Sequence, residues 1–371
     1  MRVIIAAAGT GGHINPGIAI ANKIEKEEPG SEILFIGTKR GIENDLVPRA
    51  GYKLETIEAY GLSKKLTLTN IKHTIKTLQS VKKAKLIIEK FKPNVVIGTG
   101  GYICGPVLTA AQKLKIPTAL HESNSFPGLA VKMLAKKTDL IMLGLEKAKE
   151  YLNKEKNVVV TGTPTKIQKL NLNDAEKYFL KEKLELNPEI PVVLIFGGSQ
   201  GAKKINDAMI EIIKIGQLDK YQIVWAVGQK NYEEVKSELQ KANIDIDKIK
   251  NAKILPYIYN MEEIMNVSDL LVCRSGAITI TEITKLGKPA IFIPLPNVSQ
   301  NHQEKNARVL EEIGAAKIIL NNELTGNNLE QEIESIILNS ELLLQMGKRA
   351  NSINIDDVEE KIYKEIKKIT N

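Results

Sequence analysis

The stretch that decides the fold is 269-DLLVCRSGAITITE-282. Its apolar residues Leu270, Leu271, Val272 and Cys273 stand between polar flanks, too few for a helix and right for a buried parallel strand. Ser275-Gly276-Ala277 then turns the chain, and Ile278 to Glu282 read as the opening of a helix. A tight turn into a helix leaves backbone N–H groups unpaired at the positive end of the helix dipole, which suits an anion. Glu282 lies farther along that helix, where a carboxylate can accept hydrogen bonds from a ribose diol. Phosphates on the amides and a sugar on the acid describe a nucleotide site. An ordinary strand-to-helix turn with a solvated Glu describes the same residues more plainly.

Outward from this unit the pattern repeats in both directions. Apolar runs at 192–196, 222–227, 252–255, 290–293 and 317–320 read as further strands, separated by helix-length segments. The first of them ends in another glycine turn, Gly197-Gly198-Ser199-Gln200-Gly201. Upstream, strands are expected at 3–8, 33–36, 53–57, 95–97, 117–121, 140–143 and 158–161. This alternation predicts an α/β chain of two doubly wound, Rossmann-like parallel sheets facing a cleft. A length of 371 residues accommodates two cores. The expected division is 1–163 and 164–355, with Gly162-Thr163-Pro164-Thr165 as linker and the polar stretch 166–189 delaying the second sheet. A charged amphipathic helix is expected over 356–371, free to pack back on the first domain.

Composition narrows the partners. Hydrophobic content of 43% and charged content of 26% are ordinary for a soluble globular protein. The net charge of +8 favours an acidic partner: nucleic acid, anionic lipid or a phosphorylated substrate. Aromatic residues are 5% and not interleaved with the basic ones, so no nucleic-acid partner is expected, for want of stacking surfaces. Cys104 and Cys273 both lie in apolar settings, which gives no disulfide framework and points to a reducing compartment. The start, MRVIIAAAGTGG, reads as a first strand rather than a signal peptide, and no apolar run approaches the ~20 residues of a membrane span. Residues 62–92 stand apart, with nine lysines against one acid, Glu89. There Ile71, Ile75, Leu78, Val81, Ala84, Ile88 and Phe91 follow helical spacing. The segment is either a helix packed on the sheet with a solvated lysine face or a surface that rests on anionic lipid.

Ligands of doubly wound sheets sit at the carboxyl ends of the strands. Three stretches of the first half share that edge: Gly9-Thr10-Gly11-Gly12-His13, Gly98-Thr99-Gly100-Gly101 and His121-Glu122-Ser123-Asn124. Pro16 is expected to start the helix after the first, running through Ile18, Ile20, Ala21 and Ile24. A dinucleotide site asks for an acid at the end of the second strand; 37-GTK-39 supplies none, which disfavours a nicotinamide enzyme. His13 follows a glycine turn at a helix start, where the positive helix end keeps imidazole neutral, as a general base requires. Glu122 is the competing base. His302-Gln303 opens a helix on the same edge of the second half, where an amide can bind sugar hydroxyls. Asp245-Ile246-Asp247 has a spacing used for divalent metals but precedes its strand, at the wrong end for the site. No other carboxylate pair or Cys/His cluster suggests a metal.

Six segments in register resemble the MurG family of N-acetylglucosaminyltransferases. They are AAAGTGGHINPGIAIA from Ala6, HESNSFPG from His121, GTP from Gly162, FGGSQGA from Phe196, CRSGAITITE from Cys273 and PLPNVSQNHQEKNA from Pro294. The resemblance implies an inverting GT-B glycosyltransferase needing neither metal nor cofactor, held peripherally at the cytoplasmic face of the bacterial membrane. GlcNAc would pass from UDP-GlcNAc to the C4 hydroxyl of the N-acetylmuramyl-pentapeptide on undecaprenyl diphosphate. On the donor side it implies the backbone of Ile258 for uracil, Glu282 for the ribose, and Ser199 with Ala277, Ile278 and Thr279 for the diphosphate. Asn124 and Gln303 would approach the GlcNAc. Thr10, Gly11 and Gly12 would lie near the reacting centre and the acceptor diphosphate, with His13 among the candidate bases. The family pattern also includes an apolar patch ringed by basic residues, which fits the 62–92 segment. Lys166 stands where the family commonly has Arg, keeping the charge without the planar fork. His302 stands in the first of two adjacent glutamine positions. Two rivals share parts of this pattern: a UDP-GlcNAc 2-epimerase, which needs no lipid acceptor, and a non-catalytic nucleotide-sugar-binding protein at the membrane.

Overall fold

The computed structural model describes residues 1–60, 68–152, 157–198, 200–216 and 218–370, with backbone alone at 68–75 and 78. The chain divides into two compact units, Met1–Thr165 with Ile355–Asn371, and Lys166–Asn354.

The first unit alternates β1 (Arg2–Ala6), α1 (Gly11–Glu27), β2 (Glu32–Gly37), α2 (Glu43–Arg49), β3 (Lys53–Thr56), α3 (Leu68–Phe91) and β4 (Val95–Gly98). It continues through α4 (Cys104–Lys113), β5 (Thr118–Glu122), α5 (Leu129–Leu134), β6 (Leu140–Leu143) and β7 (Val158–Val160). The second unit runs α6 (Asp174–Lys183), β8 (Val192–Phe196), α7 (Lys203–Ile215), β9 (Gln222–Ala226), α8 (Tyr232–Lys241), β10 (Ala252–Leu255) and α9 (Met261–Val267). It closes with β11 (Leu270–Cys273), α10 (Ala277–Leu286), β12 (Ala290–Phe292), α11 (His302–Glu312), β13 (Ala316–Ile318), α12 (Gly326–Ile337) and α13 (Ser340–Ser352). Helix α14 (Val358–Thr370) then belongs to the first unit.

Both sheets are parallel, in the orders β3-β2-β1-β4-β5-β6-β7 and β10-β9-β8-β11-β12-β13. In the first, β1 lies between β2 and β4, with Ala6 beside Ile36 and Gly98. In the second, β8 lies between β9 and β11, with Phe196 beside Ala226 and Cys273. The strand order reverses at β1/β4 and at β8/β11, and such switch points open a crevice at the carboxyl ends of the strands.

Helices cover both faces, so the central strands are buried on both sides and read as unbroken apolar runs. On one face of the first sheet, Ile14, Ile18 and Ile24 of α1 pack with Ile362 and Ile366 of α14 over Val3, Ile5 and Ile97. On the other, Ala84 and Ile88 of α3 pack with Val107 and Leu108 of α4. Trp225 anchors the core of the second unit, its indole N–H donating to the buried Asn206 of α7.

One local reading of the sequence is corrected and one is extended. Helix α1 starts at Gly11, not at Pro16: Thr10 is extended, and its carbonyl accepts from His13 and Ile14 N–H. Pro16 is therefore inside the helix, where its ring is buried and its missing N–H leaves out a bond to the Gly12 carbonyl. The polar stretch 166–189 does delay the second sheet, which begins at Val192. It contains α6, started by a capping box in which Asn173 and Glu176 each accept from the other's backbone N–H.

Candidate functional site

At the switch point of the first sheet, the turn after β1 enters α1 directly. Thr10 is the N-cap but makes no side-chain cap, and Gly11 and Gly12 are the first helical residues, so their N–H groups face outward at the positive helix end, while the His13 N–H closes on the Thr10 carbonyl. The His13 Nδ1 lies 3.0 Å from the Ala8 carbonyl oxygen. A carbonyl only accepts, so Nδ1 carries the proton and the lone pair of the neutral ring is on Nε2. The turn after β4 packs on this ring: a Cβ on Gly100 would meet the imidazole, and Gly100 has φ +119°. Thr99 Oγ1 donates to the His13 carbonyl at 2.8 Å.

Glu122 ends β5, buried, with both oxygens occupied. Oε1 accepts from the N–H (3.0 Å) and Nδ2 (2.9 Å) of Asn124, and Oε2 from the Gly128 N–H (2.8 Å). This carboxylate, the competing base of the sequence reading, holds the loop that presents Asn124. His121 is fully buried, its Nε2 2.9 Å from the Gly162 carbonyl, and burial lowers its pKa.

At the second switch point, Gly276 is the N-cap of α10 and has no side chain to cap it, leaving Ala277, Ile278 and Thr279 as an uncapped first turn. Arg274, given no role by the sequence reading, fixes the neighbouring loop. Its Nη1 donates to the carbonyls of Ile293 (2.8 Å) and Pro294 (3.2 Å) and to Asn321 Oδ1 (2.8 Å). Burial brings its pKa down to about 10. The signal for it was a lone charge directly after a fully apolar strand. Ser275 Oγ donates to the Gln303 carbonyl at 2.8 Å, and Gln303 Oε1 accepts from Leu295 N–H at 2.9 Å. What Gln303 offers a ligand is therefore its NH2. His302 Nδ1 lies 2.9 Å from the Ser299 carbonyl.

Glu282 lies in the body of α10, part-exposed. Ile258 is buried after β10, between Tyr257 and Tyr259, whose rings are 4.9 Å apart. Lys166 is exposed at the first position of its unit. Ser199, and the part of the lysine-rich segment at 61–67, lie outside the described residues. Asp245 caps a short exposed turn before β10 and pairs with Lys248 at 3.1 Å. Both thiols are buried; burial pushes Cys104 up to about 12, and Cys273 up as well.

The sequence reading also missed Glu43. No acid ends β2 itself, but Glu43 opens α2 and turns back to the edge of β1. Its Oε2 accepts from Gly9 N–H (3.2 Å), and its Oε1 accepts from Thr38 N–H (2.9 Å) and Oγ1 (2.7 Å). Burial raises its pKa, but the Thr38 and Gly9 donors outweigh that and hold it below the usual carboxylate range. The glycines at 37 and 41 were the available signal, since a Cβ at either would collide with this side chain.

The chain compares closely with known proteins. The Glycosyltransferase family 28 N-terminal domain matches residues 3–143, and the family 28 C-terminal domain matches residues 192–363. The UDP-N-acetylglucosamine--N-acetylmuramyl-(pentapeptide) pyrophosphoryl-undecaprenol N-acetylglucosamine transferase of Caldanaerobacter subterraneus subsp. tengcongensis is 43% identical over 370 residues, covering 100% of both chains. The chain belongs to the MurG family. The crystal structure of Acinetobacter baumannii MurG superimposes on it with a TM-score of 0.79 and 28% identity, covering 99% of each chain. That agreement extends the expected two-Rossmann architecture of the family to this chain. A UDP-GlcNAc 2-epimerase from Neisseria meningitidis shares the fold alone, at a TM-score of 0.62 and 16% identity. Among the described residues no helix is long and apolar enough to cross a membrane.

Proposed function

We propose that the chain transfers GlcNAc from UDP-GlcNAc to the C4 hydroxyl of undecaprenyl-diphospho-N-acetylmuramyl-pentapeptide, with inversion, in peptidoglycan synthesis. The full-length 43% identity to a transferase of that name carries the reading and disfavours the epimerase. In this reading the first unit takes the acceptor and the second the donor. Uracil meets the backbone of Ile258, Glu282 accepts from the ribose, and the diphosphate rests on Ser199 and the Ala277–Thr279 amides, with Lys166 as a monodentate cation. Asn124, oriented by Glu122, and the NH2 of Gln303 reach the GlcNAc. The Gly11 and Gly12 amides with Thr10 meet the acceptor diphosphate.

His13 Nε2 takes the proton from the acceptor hydroxyl as it attacks the anomeric carbon opposite UDP. The charge that grows on the leaving UDP is met by the uncapped start of α10, preorganised before reaction. Membrane contact is assigned to α3, where exposed Leu86 lies between Lys82 and Lys90 at helical spacing. The deciding experiment incubates labelled UDP-GlcNAc with the lipid-linked muramyl-pentapeptide in the presence of a chelator. A labelled disaccharide lipid, with UDP released only when acceptor is present, supports the reading. UDP release without acceptor favours epimerase chemistry, and binding without turnover favours a sugar-nucleotide carrier.

A further inference from the structure

One peptide group, Ala8–Gly9, is gripped at both ends. Its carbonyl accepts from His13 Nδ1–H at 3.0 Å, and its N–H donates to Glu43 Oε2 at 3.2 Å. In a trans peptide these two groups point in opposite directions, so the arrangement is a continuous line: carboxylate, peptide, imidazole. The surroundings are built around it. Gly9 has φ +100°, and Gly101 (φ +81°) leaves the space beside the Ala8 carbonyl that a Cβ would take. Gly37 leaves room for Glu43, whose Cγ would lie 2.7 Å from a Cβ there. Oε1 is held separately by Thr38, so the carboxylate keeps its aim without the Gly9 bond.

We infer that Glu43 is a positioning residue for His13, acting through the Ala8–Gly9 peptide. A general base is commonly oriented by a third group, usually a carboxylate bonded directly to the ring. Here the carboxylate is one peptide removed. Its charge polarises the peptide, which strengthens the Ala8 carbonyl as an acceptor, holds the proton on Nδ1 and keeps the lone pair on Nε2. Among the described residues, the other ionisable side chains on the loops around this turn are Lys39 and Arg40 after β2, Glu58 and Tyr60 after β3, Tyr102 and Cys104 after β4, and Glu122 at the end of β5. Glu122 is turned to its own loop, and the Cys104 thiol is neutral at working pH. The inference rests on the proposed role of His13 as base.

Glu43→Gln is the test, because the amide keeps the size but sets an NH2 or a weaker neutral acceptor against Gly9 N–H. Nitrogen-15 NMR of the His13 ring reads the link without turnover. The expected result is a ring pKa lower by about one unit and a gain of the Nε2–H tautomer. The acid limb of kcat/KM should move down with it, with the KM for UDP-GlcNAc unchanged. Unchanged ring pKa and tautomer in Glu43→Gln overturn the inference. So does a wild-type ring that is mainly Nε2–H, a measurement that holds even where the variant fails to fold. A shifted ring with an unmoved acid limb supports the link and removes His13 as the base.

Discussion

Gly100→Ala tests the placement of His13 without touching its chemistry. Gly100 has φ +119°, and a Cβ there would lie 2.9 Å from Cγ and 3.0 Å from Nε2 of the imidazole, with Cδ2 nearer still. Relaxed carbon contacts need about 3.5–4.0 Å, so the ring has to retreat by roughly 1 Å. The Nδ1 bond to the Ala8 carbonyl then stretches from 3.0 Å beyond hydrogen-bonding range, or the ring swings on it and Nε2 loses its aim. A misplacement of about 1 Å at a reacting group costs on the order of 10²-fold. The left-handed backbone adds ~1–3 kcal/mol of strain for alanine. For a unit of this size that is a fall in Tm of about 2–4 °C per kcal/mol. The assay is steady-state transfer to the lipid-linked acceptor, with UDP binding by calorimetry and a thermal melt on the same preparation. The expected outcome is kcat down about 100-fold, UDP affinity unchanged and a modestly lower Tm. A Tm that falls while kcat stays within about two-fold would refute the argument, since the ring would have moved without consequence.

Glu282→Ala should raise the KM for UDP-GlcNAc roughly 10- to 100-fold, the loss of a hydrogen bond to a charged group, with acceptor KM constant; a change in acceptor KM alone removes the ribose assignment. Lys288 donates to the carbonyls of Asn266 and Ser268 at 2.7 Å each, capping the end of α9, and its pKa is brought down to about 8 by burial and then by Lys177. Because the unfolded chain holds that proton up to about pH 10.4, stability gains as pH rises from about 8 to 10, by ~3 kcal/mol at most. Chemical denaturation of wild type and Lys288→Met across this window should show the gain in wild type only; parallel curves refute it. Lys82→Ala with Lys90→Ala should weaken binding to anionic vesicles roughly 30-fold, at ~1 kcal/mol per lysine, and added salt should erase the difference. Equal binding of the double variant moves the membrane contact elsewhere.

The central strands were legible because burial on both faces of a parallel strand forces an unbroken apolar run that shows in a single sequence. The runs at 140–143, 192–196 and 270–273 coincide with β6, β8 and β11 to the residue. The glycine turns were legible for a related reason, since a chain passing from strand to helix beside a ligand needs backbone that can approach closely. Helix starts were harder. Pro16 carries the usual mark of a first helical residue, yet Thr10 begins α1 through its own carbonyl, a bond between backbone atoms that leaves no trace in residue type. Helix α6 hid in a stretch with little apolar content because a capping box, not an apolar face, marks its start.

Glu43 was illegible for a deeper reason. The dinucleotide pattern asks for an acid where β2 ends, and there is none at Gly37, Thr38 or Lys39. The acid is six residues farther on, and it comes back because Gly37 and Gly41 lack the side chains that would block it. A motif scan counts positions along the chain, whereas the Gly9 N–H responds to any carboxylate that reaches it. Once there, the acid closes on its own loop: with Oε1 on Thr38 and Oε2 on Gly9, its acceptors are turned inward and not toward a ribose. The same position at the edge of β1 that would read a dinucleotide's sugar is thus occupied by a group that stiffens the turn. Among the described residues, the first unit has outward amides at Gly11 and Gly12, and its strand-end acids Glu43 and Glu122 are turned to their own loops, while Glu282 stands on the body of α10 in the second unit. That asymmetry between two otherwise similar sheets supports the proposed placing of the sugar nucleotide on the second.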